Sequence, residues 1–243
     1  MSPVRPIPLP IHQLPGISRR QLEEHYKLYL RYIEKIHEIR QLLPGVDRAG
    51  ANPTYSPFRE LKVAESFASN AVTLHEFYFT NLGGPGGRPT GALLAQLVRD
   101  YGSRDNWEYD FVSTGKAARG WAVLCWDFDA RQLRNCLADS HDLGPIWRAA
   151  PLLVLDVYEH AYFMDYGADR SAYIRAFMAN INWAEVGRRF ACVSSEFAPG
   201  PAVPATPLPP PPPAGPGLGS AGEGRGPAKS LPYPYNLRPC WPV

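Results

Sequence analysis

The sequence predicts an α+β protein in which an antiparallel helical hairpin, at residues 17–88, precedes a mixed α/β domain at residues 89–197. Two observations support this division. The first half contains two long stretches without glycine or proline, joined by a short loop. The second half contains three short apolar segments between helical patterns, which is typical of a small antiparallel three-stranded sheet flanked by helices.

The hairpin follows a proline-rich N-terminus at residues 1–16, which is expected to lie extended. Ser18 is a suitable N-cap, and the helical pattern after it continues until Pro44. A second helix is predicted from Phe58 to Leu82, where the glycine-rich segment GGPGGRP ends it. Two long helices joined by a short loop favour an antiparallel pair.

The second half alternates between helical and strand patterns. Helices are predicted at Gly91–Tyr101 and Asn106–Ala118. Three strands are then predicted in GWAVLCWDF, RQLRNCLA and PLLVLDVY, which are apolar and rich in aromatic or β-branched residues. Two further helices fit SAYIRAFMAN and WAEVGRRF.

Residues 198–243 differ in composition from the rest and hold more than half of the 27 prolines. A segment with so little apolar surface to bury is expected to be disordered or polyproline-like. Within it, PLPPPPPAGP has the PxxP spacing that SH3- or WW-like grooves bind, so a weak partner of this tail is one possibility.

Charge and composition exclude several classes of protein. The net charge is +2 and the arginines are scattered, so no nucleic-acid interface is predicted. No apolar run approaches the ~20 residues of a membrane span. The N-terminal prolines interrupt any signal peptide, and the four cysteines form no CxxC motif. A cytoplasmic protein is therefore expected.

The six histidines are the residues that best indicate a possible metal site. His25 and His75 lie in the middle of the two hairpin helices among aromatic residues, whereas Asp156 ends the third strand and His160 follows four residues later. Three imidazoles and one carboxylate make a common ligand set for iron or manganese. The competing interpretation is that they are core histidines with ordinary hydrogen bonds. The remaining helical and N-terminal histidines, His12 and His37, are expected at the surface.

The order of these residues resembles the iron/manganese superoxide dismutases. DVYEHAYFMDYG and YIRAFMANINWAEVGRRF are similar to that family's C-terminal signature, and NAVTLHEFYFTNL is similar to its second-helix ligand segment. The resemblance implies one iron or manganese ion per subunit, held by His25, His75, Asp156 and His160. It also implies superoxide as substrate, with oxygen and hydrogen peroxide as products, and a homodimer or tetramer.

Two positions depart from the commoner family pattern. Tyr32 matches the family's gateway tyrosine. On a regular helix, Tyr32 lies within roughly 20° of the face that carries His25. Tyr29 is the alternative candidate. The family's glutamine near the metal-bound solvent is absent from position 71, where Ala71 stands. His141 is expected to take its place and bond the solvent, unless it is an ordinary surface-loop histidine.

The resemblance assigns two further roles. Glu159 matches a glutamate that reaches across the dimer interface, and Arg170 matches an arginine near the substrate entrance, where a positive charge would attract superoxide. Two other functions stay open at this point: a non-catalytic scaffold whose proline-rich tail binds partners, and a hydrolytic zinc site built from the same ligand types.

Overall fold

The structure, a computed structural model, describes residues 4–9, 13–144 and 147–195. His12 and the predicted tail at residues 198–243 lie outside the described residues. Inside them, the predicted α+β architecture is confirmed: a helical hairpin is followed by helices and a three-stranded antiparallel sheet. We propose residues 17–88 and 89–197 as the two domains.

The hairpin consists of α1 (Arg19–Leu42) and α2 (Pro57–Asn81), which pack against each other. Ser18 is the N-cap of α1, as predicted, and its hydroxyl accepts a hydrogen bond from the Gln21 backbone N–H. Ser56 caps α2 in the same way, and Pro57 occupies the first turn, where the missing N–H leaves no bond unmade. The helices bury apolar faces toward the core, including Ile33, Ile36 and Ile39 of α1.

The second half contains five further helices, three strands and one 3-10 turn. They follow in the order α3 (Gly91–Tyr101), α4 (Arg104–Ala117), β1 (Trp121–Asp127), β2 (Gln132–Ala138), β3 (Ala149–Asp156), the 3-10 turn (Glu159–Ala161), α5 (Phe163–Tyr166), α6 (Arg170–Ala179) and α7 (Trp183–Ser195). The 3-10 turn and α5 were not predicted from the sequence. None of the helices in the described ranges is both long and apolar enough to cross a membrane.

The sheet has the order β2-β1-β3, with antiparallel pairing on both sides of β1. The central strand β1 is buried along its whole length, which explains its continuous apolar sequence. In the register of the sheet, Trp121 pairs with Asp156 of β3 and with Ala138 of β2. This register places the beginning of β1 beside the end of β3.

A buried cation joins the hairpin to the sheet. The guanidinium of Arg189 on α7 donates to the Leu152 carbonyl of β3 at 2.9 Å and pairs with Glu185 at 3.0 Å. The guanidinium carbon, Cζ, also lies 4.2 Å from the centre of the Phe77 ring of α2. Burial lowers the pKa of Arg189 to about 10, although the Glu185 charge opposes the shift. These contacts fix α2, β3 and α7 relative to one another, and two of these three elements carry candidate metal ligands.

Candidate metal centre

Four side chains from four separate segments converge in the interior. His25 comes from α1, His75 from α2, Asp156 from the end of β3 and His160 from the 3-10 turn, and one ligand atom of each lies within 4.8 Å of the others. Measured from Asp156 Oδ2, the Nε2 atoms of His25, His75 and His160 lie at 3.0, 3.8 and 3.2 Å. The four residues predicted from the sequence therefore form one cluster.

The turn after β3 brings Asp156 and His160 together. The Tyr158 backbone N–H donates to Asp156 Oδ1 at 2.9 Å, and the Val157 N–H donates to the Gly120 carbonyl at 2.8 Å. The chain then enters the 3-10 turn, which points the His160 ring back toward the carboxylate. The Asp156 carbonyl is held separately by the Tyr173 hydroxyl at 2.8 Å. The carboxylate is thus fixed at both its own oxygen and its backbone.

Several ring nitrogens in the cluster have no hydrogen-bond partner. His25 Nδ1, His25 Nε2 and His75 Nε2 are buried and unpaired among the described atoms. The 3.0 Å between His25 Nε2 and Asp156 Oδ2 therefore does not have the angle of a hydrogen bond. Each unpaired buried polar atom costs about 1–3 kcal/mol. A cation bound by both Nε2 atoms would remove two of these penalties, so the residues present fit a metal ion.

The protonation states also suit metal binding. Burial lowers the pKa of His75 to about 3 and lowers that of His25 as well, so both imidazoles are neutral near pH 7. His75 Nδ1 lies 2.6 Å from the Ala71 carbonyl and donates to it, which leaves the lone pair on Nε2. Burial by itself would raise the pKa of Asp156, but the nearby His160 and His25 lower it, so the carboxylate is ionised.

The fourth candidate ligand, His160, is less buried than the other three, with its side chain 27% exposed. Burial by itself would lower its pKa, but the Asp156 charge and hydrogen bond raise it. The cluster therefore contains one carboxylate that attracts positive charge and one imidazole that is close to solvent.

Gln21 supports His160 and was missed in the sequence. Its side chain is 1% exposed and lies one helical turn before His25. Its amide Nε2 donates to the His160 carbonyl at 2.6 Å, and its Oε1 accepts from the Met164 N–H at 3.1 Å. One side chain of α1 thus holds both ends of the segment that carries His160. The only sequence signal is a polar residue four positions from a ligand, on the same face of the helix.

Tyr32 and His141 meet beside the cluster. Trp121 Nε1–H donates to His141 Nδ1 at 3.0 Å, and His141 Nε2 lies 3.0 Å from the Tyr32 hydroxyl. Burial lowers the pKa of His141 to about 4, so the ring is neutral. An indole can only donate, so Nδ1 accepts and Nε2 carries the proton that is donated to the Tyr32 oxygen. The Tyr32 hydroxyl hydrogen is then free to point elsewhere.

His141 is only 4% exposed, so it is not a surface-loop histidine. Both of its ring nitrogens have protein partners, Trp121 and Tyr32. The expected bond from His141 to metal-bound solvent stays a prediction. The sequence did not indicate Trp121 as the second partner, because Trp121 reads as an ordinary apolar strand residue.

Tyr29, the alternative candidate for the gateway tyrosine, has different contacts from Tyr32. The Tyr29 hydroxyl donates to Glu76 Oε1 at 2.9 Å and accepts from the Ile7 N–H at 3.0 Å. Both bonds link α1 to other parts of the hairpin and the N-terminal segment. Burial raises the pKa of Glu76 to about 7, although the Tyr29 hydrogen bond partly opposes the shift. Both bonding directions of the Tyr29 hydroxyl are used in this way, and Tyr29 stays the alternative to Tyr32 as gateway tyrosine.

Glu159 and Arg170 are the two remaining residues predicted from the resemblance. Glu159 is exposed and, with His160, lines a surface depression of about 490 Å³. The Arg170 guanidinium donates to the Ala118 carbonyl at 2.7 Å, at the C-terminus of α4, and to the Tyr162 hydroxyl at 3.3 Å. His37, expected at the surface, is half-buried, with Nε2 3.0 Å from the Val4 carbonyl.

A helical hairpin and a small α/β domain that together enclose three imidazoles and one carboxylate define a class of mononuclear metalloprotein. Comparison with known proteins identifies the family. Residues 89–189 match the model for iron/manganese superoxide dismutases, C-terminal domain.

Characterised relatives match more of the chain. The chain is 42% identical to "Superoxide dismutase [Fe]" of Aquifex aeolicus over 184 residues, which cover 73% of this chain and 85% of the relative. It is 38% identical to "Superoxide dismutase [Fe]" of Cupriavidus metallidurans, over 74% of this chain and 91% of the relative. It is 39% identical to "Superoxide dismutase [Mn] 1" of Halobacterium salinarum, over 51% of this chain and 62% of the relative. The chain belongs to the iron/manganese superoxide dismutase family.

Proposed function

We propose that the protein is a superoxide dismutase, which converts two superoxide anions and two protons to oxygen and hydrogen peroxide. It carries one iron or manganese ion per subunit. The observation that carries this conclusion is the buried cluster of three imidazoles and one carboxylate, whose unpaired nitrogens a cation would bind. Relatives named for iron and for manganese support the same activity and do not separate the two metals.

We propose that His25, His75, Asp156 and His160 hold the ion. When bound, iron or manganese supplies the one-electron oxidation and reduction that the reaction requires. The buried surroundings keep His75 neutral and Asp156 anionic, which suits both residues to binding a cation. Gln21 holds the fourth ligand in place through its two hydrogen bonds.

We propose that Tyr32 and His141 take part in proton transfer. Trp121 fixes the tautomer of His141, whose Nε2–H donates to the Tyr32 oxygen and so stabilises a proton loss from that hydroxyl. Tyr32 is the gateway in this proposal, and it can deliver its own proton toward the cluster and regain one from solvent. Burial and the Asp156 charge raise the pKa of Tyr32, so the hydroxyl is protonated at neutral pH and is a proton donor.

The remaining roles concern assembly and access. We propose a homodimer in which the exposed Glu159 reaches the partner subunit, since it borders the depression next to His160. Arg170 is proposed to add positive charge near the substrate entrance, which raises the capture rate of a small anion. A cytoplasmic location is proposed because the cysteines of the described ranges are free thiols.

Metal reconstitution tests the function. Metal-free protein is loaded separately with iron, manganese and zinc, and metal content and superoxide removal are measured on the same samples. We expect one equivalent of iron or manganese and superoxide removal with at least one of them. Protein fully loaded with iron or manganese but unable to remove superoxide would indicate a non-catalytic scaffold. Hydrolytic activity with zinc alone would indicate a different enzyme. The matched control is His37→Ala, on α1 but outside the cluster, compared with His25→Ala on the same helix.

A further inference from the structure

A second group of reactive side chains lies on the sheet, outside the four-residue cluster, and lines a cavity that His141 also lines. Cys125 of β1 and Cys136 of β2 belong to neighbouring antiparallel strands. In the register, Cys125 pairs with Arg134, and Val123 pairs with Cys136. The two cysteines are therefore diagonal neighbours on the same face of the sheet. The two thiols are close enough for each to shift the pKa of the other.

Both thiols line a cavity of about 520 Å³ between this face of the sheet and α2. The opposite wall includes Thr73 and Phe77 of α2, and Leu137 and Thr73 are exposed at its edge. The cavity thus gives small molecules access to the sulfur atoms. Cys192 of α7, also a free thiol, is not among its lining residues.

We propose that Cys125 and Cys136 are a modification site for hydrogen peroxide, which converts the two thiols to an intramolecular disulfide. The inference rests on the proposed function only for the source of the oxidant, since peroxide is the product of that reaction. The diagonal placement of the thiols and the cavity are independent of it.

The chemistry balances with peroxide as the only oxidant. The Cys136 sulfur attacks one peroxide oxygen, so that an S–O bond forms, the O–O bond breaks and water leaves. The Cys125 sulfur then attacks the sulfenic sulfur of Cys136, the S–S bond forms, the S–O bond breaks and a second water leaves. The two thiols together lose two electrons and two protons, and peroxide is reduced to two waters.

The surroundings assign the attacking sulfur. The neighbouring Cys125 thiol lowers the pKa of Cys136, and the Arg134 guanidinium lowers it further, against burial and the Asp127 charge. The neighbouring Cys136 thiol and burial raise the pKa of Cys125. The thiolate is the reactive form of cysteine, so Cys136 attacks and Cys125 resolves.

Diagonal neighbours lie farther apart than directly opposed residues, so the disulfide requires a local shift of β2 relative to β1. β2 is an edge strand, paired with β1 alone, so this movement breaks no second set of strand hydrogen bonds. A disulfide formed with some strain is more easily reduced, so the modification is expected to be reversible.

The test uses metal-loaded full-length protein carrying Cys240→Ser, which removes a thiol outside the described residues. The protein is treated with added hydrogen peroxide, quenched with an alkylating agent in denaturant, and mapped by mass spectrometry without reduction. We expect loss of alkylation at Cys125 and Cys136 together, a peptide pair linked through them, and recovery after mild thiol treatment. Cys192 should stay alkylated as the internal control.

Two variants make the test specific. With Cys125→Ser, Cys136 should be trapped as sulfenic acid by a diketone reagent and no linked peptide should form. With Cys136→Ser, Cys125 should stay alkylated. Unchanged alkylation of both residues in the parent protein, or linkage of either one to Cys192, would overturn the proposal. Because the peroxide is added as a reagent, a protein without dismutase activity would still form the disulfide, so the two proposals fail independently.

Discussion

Replacing Gln21 with methionine should release the segment that carries His160. Methionine keeps the length and apolar stem of the side chain but removes both hydrogen bonds, at 2.6 Å to the His160 carbonyl and 3.1 Å from the Met164 N–H. Each neutral hydrogen bond contributes about 1 kcal/mol. Both hydrogen bonds are only partly buried, so water can solvate the freed backbone groups without a further penalty, and the total should be about 2 kcal/mol. For a domain of this size that corresponds to a fall in Tm of roughly 4–8 °C.

Two measurements separate a local effect from general loss of stability. Thermal unfolding gives the free energy change, and the rate of metal release into a chelator reports on the ligand segment. Gln21→Met should speed metal release more than its stability loss explains, because His160 is the ligand that it frees. Ile39→Val, in the same helix and 3% exposed, is the stability control, since a lost core methyl costs about 0.5–1.5 kcal/mol.

The surface control for this experiment is Gln41→Met, since Gln41 is an exposed residue of the same helix. It should leave both Tm and metal release unchanged. If Gln21→Met matches Gln41→Met in both measurements, the two hydrogen bonds do not support the site. If Gln21→Met releases metal no faster than Ile39→Val does for the same loss of stability, Gln21 is only a structural contact.

The remaining predictions concern the cluster, its proton contacts and the tail. Asp156→Ala should abolish stable metal retention, measured by elemental analysis, because the only carboxylate of the cluster is lost; near-normal occupancy would show that the site is elsewhere. Tyr32→Phe should lower superoxide removal by about 10- to 100-fold with metal retained, whereas Tyr29→Phe should mainly lower stability; equal rates for the two variants would refute the assignment. His141→Ala should keep the metal and lose activity, and His141→Gln should recover part of it; a wild-type rate for His141→Ala would exclude a role in catalysis. Truncation after Pro199 should leave Tm and turnover unchanged, and a large fall in either would mean that the tail packs on the domain.

The sequence predicted the elements that local signals specify. Ser18 before an uninterrupted helical pattern placed the start of α1, and the run GWAVLCWDF placed β1, because a strand buried on both faces is apolar throughout. The four cluster residues could be chosen because chemically distinctive side chains stand in apolar surroundings in an order that a known family shares. Composition alone did not supply that order.

The sequence did not predict contacts that depend on distant residues meeting. Gln21 contacts the His160 carbonyl across 139 positions, and His141 contacts Tyr32 across 109. No local pattern encodes either distance. The 3-10 turn was missed for a related reason: three residues are too few to show a helical period. The contact between His141 and Trp121, 20 positions away, was missed for the same reason as the other two contacts.

The register of the sheet places the candidate ligand Asp156 beside Trp121, which donates a hydrogen bond to His141. Trp121 of β1 is paired with Asp156 of β3, so one pair of residues provides both a candidate ligand and the donor that orients His141. A shift of one residue between these strands would turn the Trp121 indole to the opposite face and remove it from His141. The His75 ring lies 5.1 Å from the Trp121 ring, so the same shift would also open the wall of the cluster. The small sheet therefore sets the position of the candidate ligand Asp156 relative to Trp121, which donates to His141. Variants that disturb strand pairing, even far from the cluster, should alter metal retention and turnover together.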